Sequence, residues 1–296
     1  MAEEQMPSNV ANFVKTIHQD SYRAIDSATK SNLTGRNVFI TGASKGIGRA
    51  IAIAYAKAGA AAIGLGARSE VLDLEEELRE AAKKAGKSEP KVLTVKLDVE
   101  DRAMVESAAK KVEADFTRLD ILVNNAGHLE PAVRIADSDP DEWWKTWTVN
   151  IRGPYLVTRS FLPLMLKGGD KQIVNVSSVG ATLLLPGFSA YTTGKLAILR
   201  FSECINAEYG DQGVMAFSVH PGAVKTGTAM SMPEEMHGML TDTPEMAGDT
   251  IVCLTQKRQE WLKGRYVSCT WDMPELFAMK DEIVAKDLLK IRMAVS

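Results

Sequence analysis

From Asn37 onward, short apolar runs take turns with longer segments of helical periodicity, and no other feature of the chain constrains its fold as strongly. The runs Asn37–Thr41, Ala61–Gly66, Lys91–Leu97, Asp120–Asn124, Gln172–Val176, Val214–Val219 and Arg265–Val267 read as strands, apolar on both faces and therefore buried on both. Between them, Gly46–Lys57, Glu70–Ala85, Arg102–Phe116, Asp141–Leu166, Ala190–Tyr209 and Pro244–Gln256 read as helices. Parallel neighbours need a crossover, and crossovers are right-handed, which places helices on the faces of the sheet. The pattern predicts an α/β fold with a doubly wound, seven-stranded parallel sheet covered by helices on both faces.

With 296 residues, the chain reads as a single catalytic-sized domain over 36–270, with an N-terminal extension over 1–35 and a C-terminal tail over 271–296. The extension carries Val10, Phe13, Val14 and Ile17 at helical spacing, as the tail carries Ile283, Val284, Leu288 and Ile291. The tail's pattern fits packing on its own domain or on a sister subunit. Thirty-five basic against 38 acidic residues leave no surplus for neutralising phosphates, so nucleic acid is not expected as a partner. Cys204, Cys253 and Cys269 form no C-x-x-C pair, which disfavours a disulfide framework or a zinc site and suggests a reducing compartment. The most apolar stretch, Ala50–Ala62, is interrupted by Lys57 and is shorter than the roughly 20 residues a bilayer needs. With Glu3 and Glu4 ahead of any apolar run, the expectation is a cytoplasmic protein with no membrane partner. His18, His128, His220 and His237 are scattered, and no metal ligand set is expected, though His128 is placed to touch a substrate.

The first strand runs into Thr41-Gly42-Ala43-Ser44-Lys45-Gly46-Ile47-Gly48, within which a helix begins. A glycine-rich turn between strand and helix lets backbone N–H groups approach a pyrophosphate at the positive helix end; glycines alone would equally make a tight turn, but this one opens a βαβ unit. The fold expectation thereby becomes Rossmann-type. The spacing T-G-x-x-x-G-x-G resembles that of the short-chain dehydrogenase/reductase family. Asn124-Asn125-Ala126-Gly127 after the fourth strand, Asn150, Ser178, Tyr191-Thr192-Thr193-Gly194-Lys195 and Pro221-Gly222 extend the resemblance, in order, over about Leu33 to Val267. It implies dinucleotide contacts from Gly42, Ser44, Lys45, Gly46, Ile47 and Gly48, from Asn125, Ala126 and Gly127, and from Tyr191 and Lys195. Asp98 and Val99 look like the family's adenine-contacting pair, although Asp98 also fits a helix N-cap. Pro221, Gly222, Val224 and Thr226 look like the family's nicotinamide-carboxamide loop.

Twenty residues past Gly48 stands Arg68, in the place where an acid reads the ribose hydroxyl of NAD and an arginine accepts the 2′-phosphate of NADP. Lys45 adds a second cation, so NADP(H) is expected over NAD(H). Glu70 is the counter-signal, since it reaches the ribose if the strand ends two residues later.

Tyr191 and Lys195 are four apart and share one helix face. A neighbouring ammonium, together with a cationic nicotinamide, lowers a phenol from its usual pKa of about 10 and makes it a general acid/base. Taken alone, such a pair also fits a half-buried aromatic with its lysine in solvent. Ser178, just after a strand, can hydrogen-bond a substrate oxygen as charge develops. The resemblance assigns Ser178 rather than Ser177, leaving Ser177 as a turn or helix cap, and makes Asn150 the fourth member of the set, whose backbone supports a proton relay to Lys195. The expected reaction is hydride transfer between a nicotinamide and a carbonyl or secondary alcohol.

A loop at about 225–243 carries Met230, Met232, Met236 and Met239, flexible side chains suited to a lid over an apolar substrate or to packing on the domain. With Leu183, Leu184, Leu185 and Phe188 it suggests an apolar pocket and a mid-sized substrate. A ketoreductase is the leading expectation, beside an NAD-dependent alcohol dehydrogenase and a non-catalytic dinucleotide-sensing or scaffold protein. Tyr191 plus seven is Ile198, which disfavours enoyl reduction, and the length leaves no room for the large substrate domain of related epimerases and dehydratases. The family commonly forms homodimers or homotetramers through the helices around Asn150 and Tyr191, which Trp143, Trp144 and Trp147 adjoin. The extension, Gly264-Arg265-Tyr266-Val267-Ser268 and Trp271-Asp272 resemble fungal members.

Overall fold

The computed structural model describes residues 10–69 and 71–293. Each expected strand is present within one residue of its expected bounds: β1 Asn37–Thr41, β2 Ala62–Ala67, β3 Lys91–Lys96, β4 Ile121–Asn124, β5 Gln172–Val176, β6 Met215–His220 and β7 Tyr266–Ser268. All are parallel, in the order β3-β2-β1-β4-β5-β6-β7. The helices are α1 Ser27–Lys30, α2 Gly46–Lys57, α3 Leu72–Lys84, α4 Arg102–Asp115, α5 Pro140–Trp147, α6 Gly153–Leu166, α7 Ser189–Tyr209, α8 Pro244–Thr255, α9 Met273–Ala278 and α10 Lys280–Ala285. Alternate residues of β1 feed opposite faces. Val38 and Ile40 pack in the core shared with α2 and α8, while Phe39 packs in the core shared with α4 and α6.

β3 departs from the expectation of strands buried on both faces. It lies at the sheet edge, where Lys91, Thr94 and Lys96 are exposed and only Val95 is buried. Lysines there blunt an edge that would otherwise pair with another chain. The single helix expected over Asp141–Leu166 is also divided: α5 and α6 are joined by a π-helical turn, Thr148–Arg152, with Asn150 at its centre. The cause is readable in the sequence. Pro154 has no N–H, so the regular bond from residue 154 to the carbonyl of Asn150 cannot form, and the ladder widens around that carbonyl.

The apolar residues of the N-terminal segment form no helix despite their spacing. They follow turns to a bridge between Ile17 and Trp271, with the Phe13 ring 5.2 Å from the fully buried Trp271 indole, whose Nε1 donates to the Ala11 carbonyl. Phe13 thus meets the indole ring and Ile17 the Trp271 backbone, while Val14 is buried in the core, with Val10 packed against that core. In the C-terminal segment, Ile283 is fully buried in the core, with Leu288 and Ile291 packed against it, whereas Val284 is exposed. That favours packing on the chain's own domain over a sister subunit. No helix among the described residues is long and apolar enough to cross a membrane.

Candidate active site

β1 and β4 are neighbours, and the chain winds in opposite directions from them, so their carboxyl ends border a crevice where α/β sheets bind ligands. Two turns meet there at close range. The Thr41 hydroxyl oxygen accepts from the backbone N–H groups of Asn125 (3.0 Å) and Ala126 (3.1 Å). The Asn125 amide donates to the carbonyls of Thr41 (2.9 Å) and Gly42 (3.2 Å). A Cβ on Gly48 would collide with the Gly42 carbonyl oxygen and stand 2.5 Å from Asn125 Nδ2, so only glycine fits. The first turn of α2 opens beside this junction at Lys45, whose side chain makes no cap bond to the helix amides. Glycine-bounded backbone and an uncapped helix start fit a pyrophosphate.

The turn is tied to β2 by Ala43 N–H donating to the Gly66 carbonyl at 3.2 Å, and Arg68 follows that strand, exposed. Glu70 lies outside the described residues. Lys45 reaches the other way, its ammonium 3.5 Å from the position a Cβ on Gly227 would take, at the base of the 225–243 loop. Val99 is buried against Gly153. Asp98 is not a helix cap: its carboxylate accepts from the Glu100 N–H at 3.1 Å, and the cap of α4 is Asp101, which accepts from Ala103 and Met104.

Asn150, Ser178, Tyr191 and Lys195 converge. Lys195 Nζ donates to the Val176 carbonyl (2.9 Å) and stands 5.6 Å from the centroid of the Tyr191 ring. The Ser178 hydroxyl and the Tyr191 ring stand side by side, 3.3 Å and 3.4 Å from the position a Cβ on Gly180 would take. Asn150 grips His128 from both sides, Oδ1 accepting from its N–H (2.9 Å) and Nδ2 donating to its carbonyl (2.8 Å). Gly127 lies between the two polar heads, since a Cβ there would stand 3.4 Å from Asn150 Oδ1 and 3.6 Å from Lys195 Nζ. The serine pair divides its work differently from the expectation. Ser177 donates to the Lys195 carbonyl at 2.8 Å, and Ser178 is the cap, accepting from the Gly180 N–H at 3.0 Å at the start of a 3₁₀ turn.

Burial lowers the Lys195 ammonium to about 8. The Tyr191 phenol moves up rather than down: burial raises it, the Ser178 hydrogen bond lowers it, and the nearby Glu130 charge raises it further. The protein alone therefore holds Tyr191 in its proton-donating form.

The loop after β6 is closed at its base. The Ala223 N–H donates to Asp242 Oδ2 (2.6 Å), Val224 bridges Asp242, and Gly222 has a left-handed φ of 96° with Asp242 against it. Between these ends the segment forms two 3₁₀ turns, Ala229–Ser231 and Glu234–Met239, with Met230 and Met239 exposed. Leu184 is fully exposed, so of the expected pocket leucines it contributes least, while Phe188 is buried.

A model of the family described as short chain dehydrogenase matches residues 36–237. The chain belongs to the short-chain dehydrogenase family. Its members are oxidoreductases that bind a nicotinamide dinucleotide, and this chain is one of them. The short chain dehydrogenase citE of Monascus ruber is 52% identical over 98% of this chain and 99% of its own. The short chain dehydrogenase andI of Emericella variicolor is 43% identical over 99% of this chain and 100% of its own. These matches run past the 36–237 core into both flanks. Among solved structures, an alcohol dehydrogenase from Thermococcus sibiricus, complexed with 5-hydroxy-NADP, is similar at TM-score 0.67 and 29% identity, over 79% of this chain and 95% of that one. A 3-ketoacyl-ACP reductase from Sinorhizobium meliloti is similar at TM-score 0.67 and 28% identity, over 79% and 98%.

Sequence reasoning missed part of what supports this dehydrogenase's site. Asn124, Asn175 and Ser218 are in register across β4, β5 and β6. They join through Asn124 Nδ2 to Asn175 Oδ1 (2.8 Å), Asn175 Nδ2 to Ser202 Oγ (2.8 Å) and Ser202 to Ser218 (2.8 Å). An asparagine inside the run Gln172–Val176 was the available signal, because a buried polar side chain needs partners. Glu130 gave no signal at all.

His220, the last residue of β6, is buried, its Nδ1 has no hydrogen-bond partner among the described residues, and burial lowers its pKa to about 4. The unfolded chain, with histidine near 6.5, then binds a proton that the folded chain refuses between those values, so stability falls as pH drops from about 6.5 toward 4. Urea unfolding of the wild type should lose about 2 kcal/mol more between neutral pH and about pH 5 than unfolding of His220→Gln. An equal loss in both proteins would contradict this.

Proposed function

We propose that this dehydrogenase is an NADP(H)-dependent reductase of a carbonyl group on a mid-sized, mainly apolar compound. One observation carries the reading: Tyr191, Ser178 and Lys195 meet at the carboxyl end of β5. The junction of Thr41, Gly42, Gly48 and Asn125 would hold the pyrophosphate, and Ser44, Lys45, Gly46 and Ile47 surround it. Asp98 and Val99 would flank the adenine, Arg68 the 2′-phosphate, and Pro221, Gly222, Val224 and Thr226 the carboxamide, with Ala126 and Gly127 facing them across the crevice. NADPH, when bound, supplies a hydride to the carbonyl carbon.

Ser178 donates a hydrogen bond to the substrate oxygen, and Tyr191 gives that oxygen a proton as negative charge builds on it. Lys195 offsets the phenolate left behind, and its value of about 8 keeps it mostly charged at neutral pH. Asn150 fixes the Gly127–His128 turn against Lys195 through its two bonds to His128. The 225–243 segment, with Met230, Met232, Met236 and Met239, closes the apolar side of the site.

Selectivity for NADPH rests on Arg68. Fluorescence titration should show tighter binding of NADPH than of NADH, and Arg68→Ala should erase the difference by weakening NADPH about tenfold or more, as expected for loss of a charge-assisted contact. Tyr191→Phe should bind NADPH normally and lose about a hundredfold or more in ketone turnover. Equal affinities in the wild type would favour an NAD-dependent alcohol dehydrogenase instead, and undiminished turnover by Tyr191→Phe would remove the tyrosine from the mechanism.

The reading includes a homodimer or homotetramer. Three tryptophans of α5 stack with centroids 5.8–6.3 Å apart, and Trp144, at 62% exposed, Tyr155 on α6 and Leu196 on α7 leave large apolar side chains exposed on the helices around Asn150 and Tyr191. Such apolar exposure marks an interaction face. Light scattering should give a multiple of the 32.2 kDa chain mass that Trp144→Glu reduces. A monomeric wild type would refute it. A cytoplasmic location is part of the same proposal, consistent with the buried free cysteines Cys253 and Cys269.

A further inference from the structure

Helix α7 carries the proposed acid/base, yet it begins without a cap of its own. Phe188, at the cap position, makes no side-chain bond to the helix, so the amides of the first turn need partners from elsewhere. The amide of Tyr191 itself is taken by Glu130, whose Oε1 accepts from it at 2.9 Å across 61 residues of chain. Glu130 is 6% exposed, and its second oxygen, Oε2, has no hydrogen-bond partner among the described residues. A carboxylate is rarely buried this deeply, and here it faces the positive end of a 21-residue helix.

The surroundings fix Glu130 from both directions along its loop. Two residues before it, His128 is clamped by Asn150 through two hydrogen bonds. Three residues after it, the Val133 N–H donates to the Gly187 carbonyl at 3.1 Å, just ahead of α7. Pro131 adds a restricted φ between them. The loop after β4 is thus a strut between Asn150 and the first turn of α7, and Glu130 is its contact with the tyrosine. Trp143 Nε1, donating to Ser189 Oγ at 3.0 Å, steadies the same turn from α5.

We propose that Glu130 is a positioning residue of the reaction: it caps α7 at the amide of Tyr191, fixing where the phenol stands, and the negative charge it places at that amide favours proton donation to a substrate oxygen over proton removal. The inference rests on the reading of Tyr191 as acid/base and deepens it toward reduction. Two charged groups lie at Tyr191, the Lys195 ammonium 5.6 Å from its ring centroid and the Glu130 carboxylate on its backbone amide, while Ser178 from the loop after β5 is neutral. His128, with Glu142 of α5 3.5 Å from its Nε2, lies beyond Asn150. Lys195 favours the phenolate and Glu130 opposes it, so the pair sets the pH at which the tyrosine ceases to donate. Burial is the larger cause that raises the phenol, and the Glu130 charge adds to it.

The test separates geometry from charge and needs neither cofactor nor substrate. 3,5-Difluorotyrosine placed at Tyr191 in the full chain gives a single fluorine resonance whose pH titration reads this phenol alone, below the range of alkaline unfolding. Glu130→Gln keeps the acceptor oxygen and removes the charge, and should lower the titration midpoint by about 1 pH unit. Exchange of the α7 first-turn amides, read by mass spectrometry, should be unchanged in Glu130→Gln and about tenfold faster in Glu130→Ala, which removes the acceptor. A midpoint that moves by less than about 0.2 pH units in Glu130→Gln overturns the charge role on that scale. Equal exchange in both variants and the wild type overturns the capping role. If Glu130→Ala does not fold while Glu130→Gln does, the cap is confirmed and the glutamine variant decides the charge. Failure of the acid/base reading is a separate result, seen as retained turnover by Tyr191→Phe whatever the titration shows.

Discussion

Where β1 and β4 part, two backbone turns come so close that one hydroxyl, Thr41, serves two amides of the opposite turn, and one residue, Gly48, has no room for a Cβ. Everything the site needs is referred to this junction. The approach is possible because strands in a parallel sheet bring their carboxyl ends to one edge, and because the sheet's winding reverses here, leaving no crossover to cover the gap. The start of α2 on one side and the Asn125–Gly127 turn on the other are thereby fixed relative to each other before any ligand arrives. That pre-organisation is what lets a backbone cradle select a pyrophosphate with little further ordering.

The half of the site that holds Tyr191 and Lys195 is fixed to the same edge by reciprocal bonds. Lys195 donates to the Val176 carbonyl at the end of β5, and Ser177, one residue on, donates back to the Lys195 carbonyl. Beneath them, Asn124, Asn175, Ser202 and Ser218 tie three strand ends and α7 into one hydrogen-bonded row. Asn124 Oδ1 has no partner among the described residues, and each bond that the row does make contributes about 1 kcal/mol net. The burial that locks Lys195 in place is also what lowers it to about 8, so its position and its electrostatics have one cause.

Much of this was legible in the sequence, for reasons that differ by element. Strand bounds followed from apolar runs in a sheet buried on both faces, and β3 misled because an edge strand need not be apolar. The glycine turn and the Tyr191–Lys195 pair were readable because their chemistry fixes spacing within one element. Pro154 announced the break at Asn150, but its effect on one carbonyl becomes visible only once the helix is in hand. Glu130 could not be found this way. Its partner is 61 residues away, and no local pattern marks a carboxylate that caps a distant helix. The N-terminal segment misled for a related reason: Phe13 and Ile17 are spaced as on a helix but are organised by Trp271, at the far end of the chain.

The central claim is that the crevice at the ends of β1, β4 and β5 is a pre-assembled site for direct hydride transfer to a carbonyl carbon. Mass spectrometry of the alcohol formed from an aryl alkyl ketone, with NADPH deuterated at one or the other face of nicotinamide C4, tests it most directly. Deuterium carried to the carbinol carbon from one face alone is the result the account predicts, because a fixed crevice presents a single face to the substrate. Label from both faces, or label lost to solvent, would contradict it.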